Sequence, residues 1–236
     1  MYSFVAFFCL VAAVSTKSIC NNGAKHIACD QNEQFAADAK MVTITDTLQQ
    51  VLVDALNEKR NLIAGGGDAN HSPACRMGTM EWDDELAVNA ELTVKQCQMN
   101  HDRCPNTDAF KYTGQKHAWI SFFGAVDDAE KLKESVEMWF SEVKDSQPSY
   151  IDSNPNGYSG PDMMADHNIR VGCASAIFSP VDQPKKYLVA CNYATTDMIK
   201  YPIYSSCKQA GTSCTTGTNP KYPNLCSASE EYAVNK

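Results

Sequence analysis

The cysteines are the residues of this sequence whose type and number could do the most distinctive chemistry, since there are 11 of them in 236 residues. Cysteine thiolates bind zinc or attack substrates, and in oxidising compartments cysteines pair as disulfides. Small zinc sites need closely spaced ligands, but the sequence has no Cys-x-x-Cys pair and no histidine at zinc-finger spacing. We therefore predict no metal site among the cysteines and expect disulfides instead.

An uncharged apolar run at the start of the sequence predicts the compartment to which the protein is directed. Residues 4–14 read FVAFFCLVAAV, too short to cross the roughly 30 Å hydrocarbon core of a bilayer. Ala13 and Ser15 place small residues where a signal peptidase cleaves, so we predict a signal peptide over 1–15 and secretion of the rest. Its removal takes Cys9 away and leaves ten cysteines, enough for five disulfides.

The composition restricts the partners of the secreted chain. There are 20 Lys and Arg residues against 28 Asp and Glu, a net charge of −8, so nucleic acid is excluded as a partner. No later apolar run reaches 18 residues, and we predict no transmembrane segment. Asn70 begins the only Asn-x-Ser/Thr sequon and is a candidate for glycosylation, although Pro73 follows the sequon directly.

Hydrophobic periodicity predicts three amphipathic helices that would position the polar residues. The first begins at about Asp46 and is stopped by the glycines at 65–67. A second follows a cap at Asp83 or Asp84, and a third runs over about 128–144.

The second half of the sequence is rich in strand-forming residues. The runs 171–178 and 187–193 predict an antiparallel pair, in which Cys173 and Cys191 would join neighbouring strands. We also expect an earlier strand to carry an aromatic group into the core, namely Trp119, Phe122 and Phe123.

Helices early and strands late predict an α+β layered domain. We place a disulfide-held arm at 16–44, the domain at 45–196, and a cysteine-rich tail at 197–236.

Several strings of the mature chain occur in the order typical of one known family. They include NEKRNLIAGG from Asn57, MEWDDELA from Met80, VKQCQMNHDRCPNTDAF from Val94, RVGCA from Arg170 and CTTGTNPKYPNLCS from Cys214. On these strings the sequence resembles the CAP superfamily, in particular its insect antigen 5 branch. The resemblance implies a secreted α-β-α sandwich with a central antiparallel sheet, and a shallow cleft of two His and two Glu that holds a divalent metal in some members.

The resemblance also implies disulfide pairings. Family correspondence suggests Cys20–Cys104, Cys173–Cys191 and Cys214–Cys226. Two arm cysteines of the family are missing here, so their usual partners Cys29 and Cys97 would pair with each other, leaving Cys75 for Cys207.

The family cleft is incomplete when it is transferred residue by residue. His101 and Glu142 match one His and one Glu, whereas Gln115 replaces the other Glu and Lys116 replaces a neighbouring Asn. Ser159 stands at the second His position in an ungapped alignment; alternatively, about six residues including that His are deleted. His167 lies too close to Cys173 to substitute for it, and we interpret it as a surface residue.

These replacements favour a protein that binds rather than one that catalyses. An amide cannot act as a base or a charged ligand, so we predict no enzymatic activity, no cofactor and no metal in the cleft. We expect a monomeric, secreted binder of a sterol, a lipid or an extracellular protein. Two alternatives stay open: a metal-dependent hydrolase using His101 and Glu142, and a secreted inhibitor of proteases or channels.

Overall fold

The computed structural model describes residues 38–67, 69–101, 104–145, 162–196 and 202–235. Its helices are α1 (Asp46–Ala64), α2 (Asp84–Val94) and α3 (Asp128–Ser141). Its strands are β1 (Lys40–Val42), β2 (Glu81–Trp82), β3 (Gly114–Phe122), β4 (Arg170–Phe178) and β5 (Lys185–Tyr193). The predicted signal peptide, most of the predicted arm and Ser159 lie outside the described residues.

Each helix begins after a side chain that accepts a hydrogen bond from a backbone N–H three residues later. These caps are Thr45, Asp83 and Asp127. All three predicted helices are confirmed, and Asp83 rather than Asp84 caps α2. Helix α3 ends at Ser141 because the chain tightens into a 3-10 turn over Glu142–Asp145. Within the described ranges, no helix is long and apolar enough to cross a membrane.

The strands form one five-stranded sheet in the order β1-β4-β5-β3, with β2 beside β4. All pairings are antiparallel except that of β2 with β4. The predicted pair β4–β5 is confirmed, and Cys173 lies directly opposite Cys191 and is bonded to it. Strand β1 lies inside the segment assigned to the arm; with three residues it is too short to show periodicity in the sequence.

Helices cover both faces of the sheet, which confirms the α-β-α sandwich. Helix α2 packs on one face against β4 and β5, while α1 and α3 pack together on the other face. Gly172 permits the close approach of α2, because a Cβ at this position would lie 2.1 Å from the backbone nitrogen of Ala87.

Residues after 202 contribute to the main core rather than forming an appendage. The predicted bonds Cys75–Cys207 and Cys214–Cys226 are both present. Four buried side chains of this segment belong to the same hydrophobic cluster as the buried face of α1: Ile203, Tyr204, Tyr222 and Leu225. The predicted tail therefore closes the core on which α1 packs.

A buried arginine of α1 ties three backbone segments together. Arg60 has no exposed surface, and its guanidinium donates two hydrogen bonds to the carbonyl of Gly78. Two more go to the carbonyls of Met163 and Ala165, at 2.6 and 2.9 Å. The periodicity of α1 did not single out Arg60 for burial, because a charged side chain inside a protein depends on partners distant in sequence.

A second buried charge joins the last residues to the body of the protein. The Glu230 carboxylate accepts hydrogen bonds from the backbone and hydroxyl groups of Thr215 and Thr216, and its Oε1 lies 2.7 Å from Nε of Arg76. Burial raises the pKa of Glu230, but these bonds outweigh burial and lower the pKa to about 2. We call Arg60, Arg76 and Glu230 with their partners the tail junction.

Candidate functional site

Strand β3 carries three consecutive polar residues, Gln115, Lys116 and His117, which we call the β3 polar strip. Because side chains alternate along a strand, Gln115 and His117 lie on the face that α2 covers and Lys116 lies on the opposite face. The amide nitrogen of Gln115 is 2.8 Å from Oδ1 of Asn192 and 3.3 Å from the hydroxyl of Thr93 on α2. Gln115 is thus a buried hydrogen-bonding residue between sheet and helix.

Glu142 is positioned by the end of α3 on the other face of the sheet. Its Oε2 lies 2.8 Å from Nζ of Lys116, whose side chain is 5% exposed. The lysine that replaces the family Asn therefore places an ammonium group against the surviving carboxylate.

His101 lies on the α2 face and stacks on His117. The two ring centroids are 4.8 Å apart and the rings are nearly parallel, at 16°. His101 is exposed, whereas neither ring nitrogen of His117 makes a hydrogen bond to a described residue. Burial, followed by the neighbouring His101, lowers the pKa of His117 to about 3; the Met99 backbone lies close enough to oppose this weakly but not in full hydrogen-bond geometry. His117 is therefore a neutral imidazole at physiological pH.

Three of the four predicted cleft residues, His101, Gln115 and Glu142, are described, and their contacts lie on two faces of the sheet. Among the described residues, His101 and Gln115 make their contacts on the α2 face and Glu142 makes its contact on the other. The residues also do not fit a divalent metal, because the carboxylate of Glu142 is already neutralised by Lys116. Within the same ranges, no group of three or more His, Cys, Asp or Glu residues is arranged to hold a metal ion.

His167 lies apart from this region, as predicted for a surface residue. Its side chain is 52% exposed and its Nδ1 bonds the carboxylate of Asp166. That bond raises the pKa of His167. The ring also lies edge-on to Tyr232 near the tail junction.

One predicted disulfide is wrong. Cys97 carries a free thiol in the structure, in a turn after α2 with a φ of 52°, and it packs against the core beneath α2. The Cys29–Cys97 pairing is implied only by the family resemblance, through the two missing arm cysteines, and Cys29 lies outside the described residues. Burial, followed by nearby Asp38, raises the pKa of Cys97 to about 11, so the thiol is not a nucleophile at neutral pH. Cys104 is disulfide-bonded, but its predicted partner Cys20 is outside the described residues.

The aromatic group predicted to enter the core does so only in part. Phe122 is buried, but Trp119 is 37% and Phe123 is 81% exposed. Trp119 points to the α2 face and stacks on Phe178, while Phe123 follows the last residue of β3. Asn70 is exposed in a turn and stays a candidate for glycosylation.

A groove between β1 and α2 is not predicted by any pattern in the sequence. This β1–α2 groove has a volume of about 470 Å³. Its apolar lining consists of Met41, Val42, Ile44, Trp82, Ala87, Val88, Cys173 and Ala174, and its polar lining of Thr43, Gln49, Asp84 and Glu91. Three distant parts of the chain form it, and the one local signal is Val88, a large apolar side chain that is 58% exposed on α2.

Comparison with known proteins agrees with a disulfide-bonded α-β-α sandwich. The model of the cysteine-rich secretory protein family, CAP, matches residues 53–193. The chain belongs to this family. It is 38% identical over 229 residues to Venom allergen-1 of Aedes aegypti, covering 91% of this chain and 87% of that relative. It is 33% identical over 195 residues to Antigen 5 like allergen Cul n 1 of Culicoides nubeculosus, covering 73% and 89%.

A solved structure supports the same fold. NaASP2 with Zn²⁺ matches with a TM-score of 0.63 at 20% identity, over 78% of this chain and 96% of that one. At this identity the match concerns the fold alone, and the zinc belongs to that protein.

Proposed function

We propose that the protein is a non-enzymatic extracellular binder that holds a sterol or lipid in the β1–α2 groove. The observation that carries the proposal is the groove itself, whose volume of about 470 Å³ is in the range of small-molecule sites. Apolar side chains from β1, α2 and β4 line most of it, and burial of a hydrophobic ligand against them would drive binding.

The polar residues support binding rather than catalysis. General acid–base catalysis needs an acid and a base within reach of one substrate. Here Glu142 is paired with Lys116, while His101 stacks on His117 across the sheet. The contacts of Glu142 and of His101 thus lie on opposite faces of the sheet, which supports binding over acid–base catalysis by this pair.

The covalent structure supports an extracellular location. Three disulfides are formed between described residues, and disulfides persist in oxidising compartments. We propose that residues 1–15 are removed on secretion. N-terminal sequencing of the protein from a culture medium should begin near Thr16; a start at Met1 would contradict this.

The binding proposal is tested with tritiated cholesterol on the secreted protein. Saturable binding is expected, and Val88→Trp should abolish it because the indole would fill the groove from α2. Met138→Trp is the matched control: Met138 is 42% exposed on α3, away from the groove, and its variant should bind as the wild type does. Absence of saturable binding, or equal loss in both variants, would contradict the proposal.

The non-enzymatic part is tested separately. The protein is incubated with panels of peptide and ester substrates, and no turnover above a boiled control is expected. Turnover that disappears in His101→Ala would show that the protein is an enzyme.

A further inference from the structure

The two charged residues that line the β1–α2 groove, Asp84 and Glu91, are both acidic and lie on one face of α2. Asp84, Ala87, Val88 and Glu91 of α2 all line the groove. Their spacing of three, four and seven residues places them on a single helix face. Two carboxylates therefore bracket a short apolar stripe, about 10 Å apart along the helix at 1.5 Å per residue.

The carboxylate of Asp84 is held next to an aromatic ring. The indole nitrogen of Trp82 lies 2.9 Å from Oδ1 of Asp84, and both residues line the groove. Tryptophan is the side chain whose ring attracts cations most strongly, and a carboxylate attracts them directly. The two groups together suit an ammonium group at this end of the groove.

Positive charge in the groove is slight. None of the twelve lining residues is Lys or Arg. Glu91 has one ion-pair partner outside the lining, Lys95, whose Nζ is 3.6 Å from Oε1 of Glu91. Asp84 is also in the first turn of α2, where the helix dipole favours a negatively charged side chain.

We propose that the β1–α2 groove selects amphiphiles with a cationic head group and disfavours fatty-acid anions. The apolar body would lie between β1 and the Ala87–Val88 stripe, and the ammonium would lie beside Asp84 and Trp82. A carboxylate head at the same place would be repelled by the like charge of Asp84. This inference rests on the proposed function, since it assumes that the groove binds an apolar ligand.

The test compares three probes with the same dodecyl chain: dodecyltrimethylammonium, dodecanol and dodecanoate. Each is titrated calorimetrically below its micelle concentration against the full secreted protein at low salt. The expected order of affinity is ammonium, then alcohol, then carboxylate. Asp84→Asn should weaken binding of the ammonium probe about three- to fivefold, as expected for a solvent-accessible ion pair, and should leave dodecanol unchanged. Helix α2 keeps its cap in this variant, because Asp83 is the capping residue.

The control variant is Glu58→Gln, which removes the same charge from an exposed position of α1 that does not line the groove. It should bind all three probes as the wild type does. Dodecanoate binding as tightly as the ammonium probe, or equal effects of Asp84→Asn and Glu58→Gln, would overturn the charge selectivity while leaving the groove as a binding site. If no probe binds, the proposed function itself is wrong.

Discussion

The tail junction and the β3 polar strip are both buried and polar, but they differ in whether their buried polar atoms have hydrogen-bond partners. At the tail junction, Arg60 faces three carbonyl groups and Glu230 faces a set of N–H and O–H donors. In the β3 polar strip, the ring nitrogens of His117 have no such partner among the described residues.

This difference determines what each region does for the protein. A buried charged side chain whose hydrogen bonds are all made stabilises the fold, because removing it leaves the partner carbonyls or donors without a hydrogen bond. An unmatched imidazole is tolerated only while it is neutral, so it makes stability depend on pH. Substitutions at the tail junction should therefore cost the most, and those in the β3 polar strip should act through protonation.

The largest effect is expected for Arg60→Met. The variant keeps an apolar side chain of similar length but leaves the carbonyls of Gly78, Met163 and Ala165 unsatisfied. We expect a loss of about 4 kcal/mol in the free energy of unfolding, measured in urea. The control is Lys59→Met, whose lysine pairs with exposed Glu137 and should cost less than about 1 kcal/mol. Similar losses for the two variants would mean that the buried bonds do not carry the stability.

The next effect is expected for Glu230→Gln at neutral pH. A charged group that accepts several hydrogen bonds contributes about 2 kcal/mol, so the variant should be less stable by about that amount at pH 7. Because the folded pKa of Glu230 lies near 2 and below its ordinary value, this contribution is complete above about pH 4.5 and fades as the pH falls toward 2. Glu231→Gln, an exposed neighbour, should change little at any pH. A difference between Glu230→Gln and wild type that does not shrink in acid would contradict the role of the charge.

A smaller effect, of the opposite kind, is expected at His117. Its folded pKa of about 3 lies below the ordinary value, so the unfolded chain binds a proton that the folded chain excludes as the pH falls below about 6.5. The wild type should therefore lose about 1 kcal/mol relative to His117→Phe between pH 6.5 and 5.5.

His167 gives this prediction an internal control, because Asp166 raises its pKa instead. Relative to His167→Phe, the wild type should gain stability as the pH falls through the raised folded pKa toward about 6.5, and should keep that gain at lower pH. Chemical unfolding at a series of pH values measures both differences, and a common sign for the two histidines would contradict the assignment.

The smallest effect concerns zinc. We expect calorimetric titration of the wild type at pH 7 to show no site tighter than about 10 μM. Lys116→Asn frees Glu142, but His101 remains on the other face of the sheet, so the affinity should rise by no more than about tenfold. A stoichiometric nanomolar site that is lost in His101→Ala would show that the two faces do meet around a metal.

Local patterns predicted the helices and the β4–β5 pair well, because amphipathic periodicity and capping act over a few residues. The face on which each polar residue would lie was harder to predict. The resemblance assigns one family cleft to His101, Gln115 and Glu142. In the structure the contacts of His101 and Gln115 lie on the α2 face of the sheet and the contact of Glu142 lies on the opposite face. The burial of Arg60 and the β1–α2 groove depend on contacts between distant segments, which no local pattern contains.

The packing of residues after 202 against α1 has a consequence for any shortened version of the chain. The family match ends at residue 193, but Tyr204, Tyr222 and Leu225 lie in the same cluster as Leu52 and Leu56. A fragment cut at the end of the match would present that cluster to water and would lose the Cys75–Cys207 crosslink. We therefore expect the cooperative folding unit to be larger than the unit recognised by homology, and a recombinant fragment of 53–193 to aggregate.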